Sequence, residues 1–401
     1  MDSISQMVLG AAVGEAVLGK KLGNKAMFWG AVGGTIPDLD IITSPFLSEV
    51  DSLAFHRGYS HSISFAIIGG LLFGWFCYSL YNSKYYRRIL LAILSLFTSC
   101  IPVSIYFFLF AADEQRYYYA AIAIFLAIGI FLFLDKKHMQ ELKPPENVQL
   151  KNWQWMFFLA FFTHTLLDCF TMYGTQLFLP FSNYRVAIAS VSVADPIGYT
   201  IPFLICVFIA SRYGKENQRR HFFNRLGLGI STTYLIFTLW HKQKIEKVFK
   251  AQLAEQEIAY NRMILGPSIF QNFLWSATIE SKEKFYQGQY SVFDTSPIDF
   301  YPIAKNHELI PNSNHDRTIK ILKWFSNNYF NIIEKTNGKL QFNDLRFGTF
   351  RGKGDDQDYI FKFIIKKLKD GKYHMEQAQG GPQDGETLDL FKELFERVKG
   401  R

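Results

Sequence analysis

The sequence predicts a membrane all-α helical bundle of about eight segments, the first two short, followed by a small α+β extracytoplasmic domain. Two observations carry this reading. Hydrophobic residues fill 49% of the 401 positions and aromatics 17%, with 40 Phe, while charged residues reach only 19%; such a composition excludes a disordered, collagenous or coiled-coil chain. The charges are also unevenly spread, with 18 Lys/Arg and 14 Asp/Glu up to Trp240 against 25 and 21 after it, roughly 13% and 29% of each part. Residues 1–241 therefore read as a transmembrane domain and 242–401 as a soluble one.

Ile4–Gly19 and Ala26–Ile36 are short, Gly-rich and joined by a basic turn holding Lys20, Lys21 and Lys25. They read as a helical hairpin in which Gly10, Gly14, Gly30 and Gly33 allow close approach. A cleaved signal peptide would need a basic start and a small-residue cleavage site, and Asp2 stands where the base should be. No charge interrupts the run between Arg57 and Lys84, nor that between Arg88 and Asp113, and each is long enough for a hydrocarbon core of about 30 Å. Tyr117–Leu134, Trp153–Met172, Ile197–Ser211 and Phe222–Trp240 complete the eight. If the segments alternate, loops 20–25, 84–88, 135–151 and 212–225 share one side and hold nearly all the Lys and Arg of this half. Arg57, Arg116 and Arg185 are left for the other side. The positive-inside rule then makes those loops cytoplasmic and puts both termini outside the cytoplasm.

In the tail, Phe273–Tyr290 has the composition of a hairpin, and Leu340–Phe350 and Tyr359–Ile365 of further strands. Thr318–Lys335 and Glu386–Val398 carry apolar residues at helical spacing. No internal repeat, phosphate loop or nucleic-acid surface is evident; the basic stretch 362–372 alternates with apolar residues as a solvated strand edge does. Cys77, Cys100, Cys169 and Cys206 lie in apolar runs without a CxxC spacing and read as buried small side chains rather than a zinc ribbon or disulfide framework.

Four places on the outer side collect residues that a bilayer tolerates poorly: Pro37-Asp38-Leu39-Asp40, His56-Arg57-Gly58-Tyr59-Ser60-His61-Ser62, His164-Thr165-Leu166-Leu167-Asp168, and Asp195-Pro196. The topology came from Lys and Arg alone, yet it brings all four to one face. His164 and Asp168, four apart on a helix, share a side. His56 and His61 flank Gly58, where a turn could aim both rings inward. Asp38 and Asp40 would share a side if extended. Imidazoles with carboxylates are the ligand stock of a hydrolytic metal site of one ion or two, with Zn or Mn favoured by the mixed nitrogen and oxygen donors. Arg57 and Arg185 could hold an anionic substrate group. Each piece has a plainer use: Pro-Asp as a turn, a His as an interfacial hydrogen-bonder, His164 and Asp168 as a mutually neutral pair. Ionisable groups in membrane segments are costly enough to be functional by default. Glu15 reads as a packing hydrogen-bonder instead.

The PDLD, HRGYSHS, HTLLD and DP elements resemble the bacterial inner-membrane metal-dependent hydrolases of the LexA-regulated type. The likeness covers about the first 210 residues. The tail, with Gly266–Trp275 and Gly288–Asp294, looks like the extension of one branch of that family. Relatives often carry a His near the start of the first helix, where this chain has Ser5-Gln6. The resemblance implies a metal and a membrane more firmly than any substrate.

The expectation is a membrane-embedded hydrolase of a phosphoester or ester in a lipid or envelope substrate. Asp38, His56, His61, His164, Asp168 and Asp195 would hold a divalent ion. Asp40 would be a ligand or general base, Arg57 would stabilise developing charge, and Arg57 and Arg185 would contact substrate. A metal-free histidine-dependent lipid phosphatase is one alternative. A transporter or structural envelope protein with a buried His/Asp network is another. No GxSxG occurs, which argues against a serine nucleophile.

Overall fold

A computed structural model describes residues 1–83, 148–311 and the tail without 312–314, 336–337, 350–358, 369–370 and 378–386, plus scattered positions from 85 to 132. Two compact units emerge: Met1–Ile68 with Phe158–Arg401, and Gly69–Phe157.

Helices α1 (Ser3–Leu22) and α2 (Asn24–Thr35) form the expected hairpin. Asp2 caps α1 through the Ser5 amide. The arms touch through Gly10, Gly14, Gly30 and Gly34: a Cβ on Gly14 would lie 2.1 Å from the Ala26 carbonyl oxygen. A 3-10 stretch, Ile36–Phe46, leads into α3 (Glu49–Phe55), and a 3-10 turn, Tyr59–His61, precedes α4 (Ile63–Asn82). Then come α5 (Leu150–Cys169), a π turn (Pro196–Thr200), α6 (Ile201–Ser211) and the 38-residue α7 (Gln218–Glu255). Val8, Leu9, Met27, Ala160, Phe203 and Val207 share the core that joins α1, α2, α5 and α6.

The eight-segment bundle is not what forms. Among the described residues only Ile63–Asn82 is long and apolar enough to cross a membrane. The α1 segment is largely buried inside the protein, and Pro196–Ser211 is apolar but shorter. Phe222–Trp240 is the first half of α7, which runs on through Lys242, Lys244 and Glu246. A charge-free run serves a protein interior as well as a lipid one, so counting such runs overstates the crossings. The candidates at 89–112 and 117–134, the loops at 84–88 and 135–151, and Cys100 lie wholly or mostly outside the described residues. Cys77, Cys169 and Cys206 are buried and free.

The boundary read at 241/242 falls inside α7, whose last turns bury Ile245, Phe249 and Leu253 against the first tail sheet. That sheet is an antiparallel meander, β1 (Arg262–Pro267), β2 (Leu274–Glu280), β3 (Lys284–Ser291) and β4 (Phe300–Ala304). Helix α8 (Arg317–Phe325) leads to a second meander, β5 (Phe330–Glu334), β6 (Leu340–Thr349), β7 (Tyr359–Lys367) and β8 (Tyr373–Gln377), and α9 (Thr387–Val398) follows. The expected helix at 318–335 is thus half helix and half strand, and the tail repeats one topology that its sequence does not announce. Phe285, Ile303, Tyr329 and Leu345 pack together between the meanders. Val50 and Leu53 of α3 join Ile319 and Phe325 of α8 in one core, which ties the tail to the region around residues 38–61.

Candidate metal centre

Pro37 opens the 3-10 stretch directly after α2. At three residues per turn, positions two apart point about 120° from each other, so Asp38 and Asp40 diverge rather than share a side. Asp38 turns toward α5, and Asp40 toward the loop at 56–61. That loop is tightly wound: Gly58 donates its amide to the Phe55 carbonyl at 2.9 Å, and His61 donates its own to Gly58 at 3.0 Å. Arg57 sits at φ 55°, a left-handed conformation that costs a non-Gly residue about 1–3 kcal/mol and collects at functional sites. Its amide donates to Asp40 Oδ2 at 2.8 Å, which helps offset that strain. The turn buries His61 completely.

Asp38, His61, His164 and Asp168 converge, with one ligand atom from each lying within 4.8 Å of all the others; the group could hold a metal ion. His61 Nε2 is 3.1 Å from His164 Nε2 and 3.3 Å from both Asp38 Oδ1 and Asp168 Oδ2. His164 Nε2 is 3.6 Å from Asp38 Oδ1 and 3.4 Å from Asp168 Oδ2. Four ligands set tetrahedrally about 2.0–2.1 Å from an ion would lie about 3.3 Å apart. The five separations bracket that value.

Proton placement points the same way. His164 Nδ1 lies 2.7 Å from the Gly34 carbonyl oxygen, which can only accept, so Nδ1 carries a proton, and the tautomer with that single proton turns a bare Nε2 to the centre. Ser60 Oγ donates to Asp40 Oδ2 at 3.2 Å and accepts from His61 Nδ1 at 2.9 Å, leaving His61 Nε2 bare as well. Burial pushes the His61 imidazole down to about 3, which keeps it neutral. Asp168 divides its labour: Oδ1 takes the Met1 amino group and the Arg57 guanidinium (3.3 Å), while Oδ2 is buried with no hydrogen-bond partner. Two lone pairs and two carboxylate oxygens facing one point repel unless a cation lies among them. The donor set fits a metal.

The other expected site residues stand outside this cluster. Asp40 is saturated by the Arg57 amide, Ser60 and His56 Nδ1 (3.0 Å). Burial works to raise its pKa, but the hydrogen bonds from His56 and the Arg57 amide hold it below the usual carboxylate range. His56 faces Asp40 with its side chain one-third exposed. Asp195 accepts from the Gly198 amide at 2.9 Å and the Tyr234 hydroxyl at 2.5 Å, capping the π turn. Arg57 stacks on Tyr173 at 5.0 Å and donates to Thr171 at 3.2 Å. Arg185 lies over the same ring at 4.6 Å, donates to the Tyr173 and Gly174 carbonyls, and faces Trp324 and Phe325 of α8.

Tyr173, Thr171 and the Gly34 carbonyl carried no sequence signal. Gln6 is fully buried and donates to the His164 carbonyl at 3.2 Å. Glu15 meets Arg220 bidentately at 2.8 and 2.5 Å, an ion pair rather than a neutral packing contact.

Comparison with curated proteins and with solved structures finds no match. One family model, described as YdjM inner membrane protein, matches residues 1–113 and 117–245, a span that includes every residue of the cluster. The match carries the membrane and is silent on hydrolysis. By its extent, more than half of the sequence, this chain belongs to the YdjM inner membrane protein family.

Proposed function

We propose that the protein is a membrane-embedded, metal-dependent hydrolase acting on a phosphoester or ester of a lipid or other envelope substrate. The observation that carries this is the pair of bare imidazole nitrogens 3.1 Å apart beside the unpartnered Asp168 Oδ2. Asp38, His61, His164 and Asp168 would hold one ion. Two nitrogen and two oxygen donors at tetrahedral spacing favour Zn, with Mn next. Bound there, a divalent ion supplies the Lewis acidity that activates water near neutral pH.

The chain's own residues do the rest. Asp40 orients His61 through Ser60 and fixes the Nδ1–H tautomer of His56, so His56 Nε2 is free to take a proton from water and return it to a leaving group. Arg57 neutralises the outer oxygen of Asp168. Arg185 serves by holding Tyr173 rather than by touching substrate. The partly exposed ligand Asp38 and its neighbour His56 mark the side from which substrate comes. The metal-free histidine route gains little support, since the two Nε2 atoms face each other rather than an open space.

The orientation belongs to the same proposal. The basic turns after α1 and α6 meet, Asn24 donating to the Ser211 carbonyl at 3.0 Å. The cluster adjoins the opposite end of α1, where Gln6 meets His164. Twenty helical residues separate the two poles by about 30 Å. Basic residues inside would put the centre and the tail outside the cytoplasm.

The test is the metal content of purified protein together with hydrolysis of phosphatidic acid and of nitrophenyl esters, with His164→Ala and Asp168→Ala alongside. About one ion per chain, lost with activity in both variants, is expected. A metal-free wild type, or fully active variants, would overturn the proposal.

A further inference from the structure

We propose that the rim of the metal centre docks into the bilayer, and that the substrate is a membrane lipid whose polar group reaches the centre sideways, out of its own leaflet. The substrate part rests on the hydrolase reading; the docking part does not. Chain connectivity fixes the depth. The one described helix able to cross a membrane starts at Ile63, two residues after the cluster's His61. Two extended residues reach at most about 7 Å, so with that helix in the bilayer His61 lies at the membrane surface whichever leaflet it faces.

The segments that carry the cluster also carry an apolar rim. After Asp38, the 3-10 stretch exposes Ile41, Ile42 and Phe46, the last 84% open; Tyr59, just before Ser60-His61, is exposed too. Loop 177–182 is fastened to the first turn of α4: the Ile63 amide donates to the Leu177 carbonyl at 3.0 Å, and Ser64 Oγ to the Leu179 carbonyl at 2.8 Å. That loop displays Phe178 and, 90% exposed, Phe181.

Single exposed apolar side chains are ordinary. A set on the segments bordering one site marks a contact surface. Three observations select the bilayer as occupant. The rim is continuous with the first turn of a membrane-length helix, the family is one of the inner membrane, and no Lys or Arg occurs from 26 to 56 or from 58 to 83. Aromatic residues at that depth suit the headgroup boundary. Asp38 and His56, the partly exposed groups of the centre, border this rim, so a lipid's polar group meets them without leaving the leaflet.

The test places a benzophenone amino acid at position 46, 181 or 395 of the full chain in native membranes, with illumination and mass analysis of adducts. Phe395, exposed on α9, is the control. Lipid adducts at 46 and 181, and none at 395, are expected. Adducts joining two copies of the chain, no adduct at either rim position, or equal lipid capture at 395 would overturn the docking. For the substrate, metal-loaded protein in phosphatidylethanolamine/phosphatidylglycerol nanodiscs is given long-chain or monomeric dihexanoyl phosphatidic acid. The ratio of the two rates should fall about tenfold in the Phe46→Ser/Phe181→Ser double variant, since each Ser removes a buried aromatic contact with the leaflet. An unchanged ratio refutes lateral presentation. Hydrolysis of neither substrate by the wild type refutes the hydrolase reading and with it the substrate claim, while the adduct pattern still decides the docking.

Discussion

Asp40→Asn separates orienting from ligation at this centre. The carboxylate accepts three hydrogen bonds, two on Oδ2 from the Arg57 amide and Ser60 and one on Oδ1 from His56. An amide offers one oxygen. Turned to keep the two Oδ2 donors, it presents its NH2 to His56, whose ring can change tautomer, but the charge behind Ser60 and His61 is gone. Partners at this remove are worth about 10–100-fold in metal affinity, which is about 1.4–2.7 kcal/mol. Affinity is read by chelator competition with a Zn indicator on purified protein. Asp38→Asn should lose more than 100-fold, since it removes a ligand anion, and Asp195→Asn should stay within about twofold, because that carboxylate only caps the π turn. The expected order of damage is Asp38, then Asp40, then Asp195. An Asp40→Asn protein that binds like the wild type refutes the relay through Ser60. One that binds as poorly as Asp38→Asn makes Asp40 a ligand after all.

Two further predictions concern the scaffold, both read by thermal or denaturant unfolding in detergent. Glu15→Gln should cost about 3–5 kcal/mol by stranding the buried Arg220, with Glu15→Met/Arg220→Met recovering most of it; a single variant within about 1 kcal/mol of wild type contradicts the assignment. Gly14→Ala should cost at least about 1–3 kcal/mol, because the added carbon collides with the Ala26 carbonyl. Gly229→Ala, with nothing within 4 Å of its added carbon, should be neutral or stabilising by about 0.5–1 kcal/mol, and equal effects at the two positions would rule out the close approach.

The centre was more legible than the fold around it. His164 and Asp168 could be paired from helical spacing alone, and the PDLD and HRGYSHS stretches announced ligands. Which member of each pair turns inward was not legible. An extended reading of 38–40 puts both acids on one side, whereas the 3-10 turn sends Asp40 to the rear; the Arg57–Gly58 turn likewise buries His61 and leaves His56 at the edge. Arg185 carried the right charge at the right end of the protein, but its destination, the Tyr173 ring, depends on contacts far apart in sequence. The crossings were misjudged because α1 is apolar for the sake of its neighbours rather than lipid, and the Phe222–Trp240 run hides a helix that continues into charged turns. In the tail the hairpin at 273–290 and the strands at 340–350 and 359–365 were readable from composition, but β1, β4 and β8 were not, and at 326–334 a sharp turn switches a helix to a strand within one apolar stretch.

The unbroken α7 has a mechanical consequence. It is gripped at one end by Glu15 and by the Asn224 bond to the Ala12 carbonyl, and at the other by the first tail sheet. No Gly or Pro interrupts it after Gly229. A rod of 38 residues is about 57 Å long, and the tail it carries is also packed on α3 through Val50 and Leu53. Held at both places, the tail is a braced head rather than one on a tether, and whatever pushes it is felt at the helices beside the metal ligands.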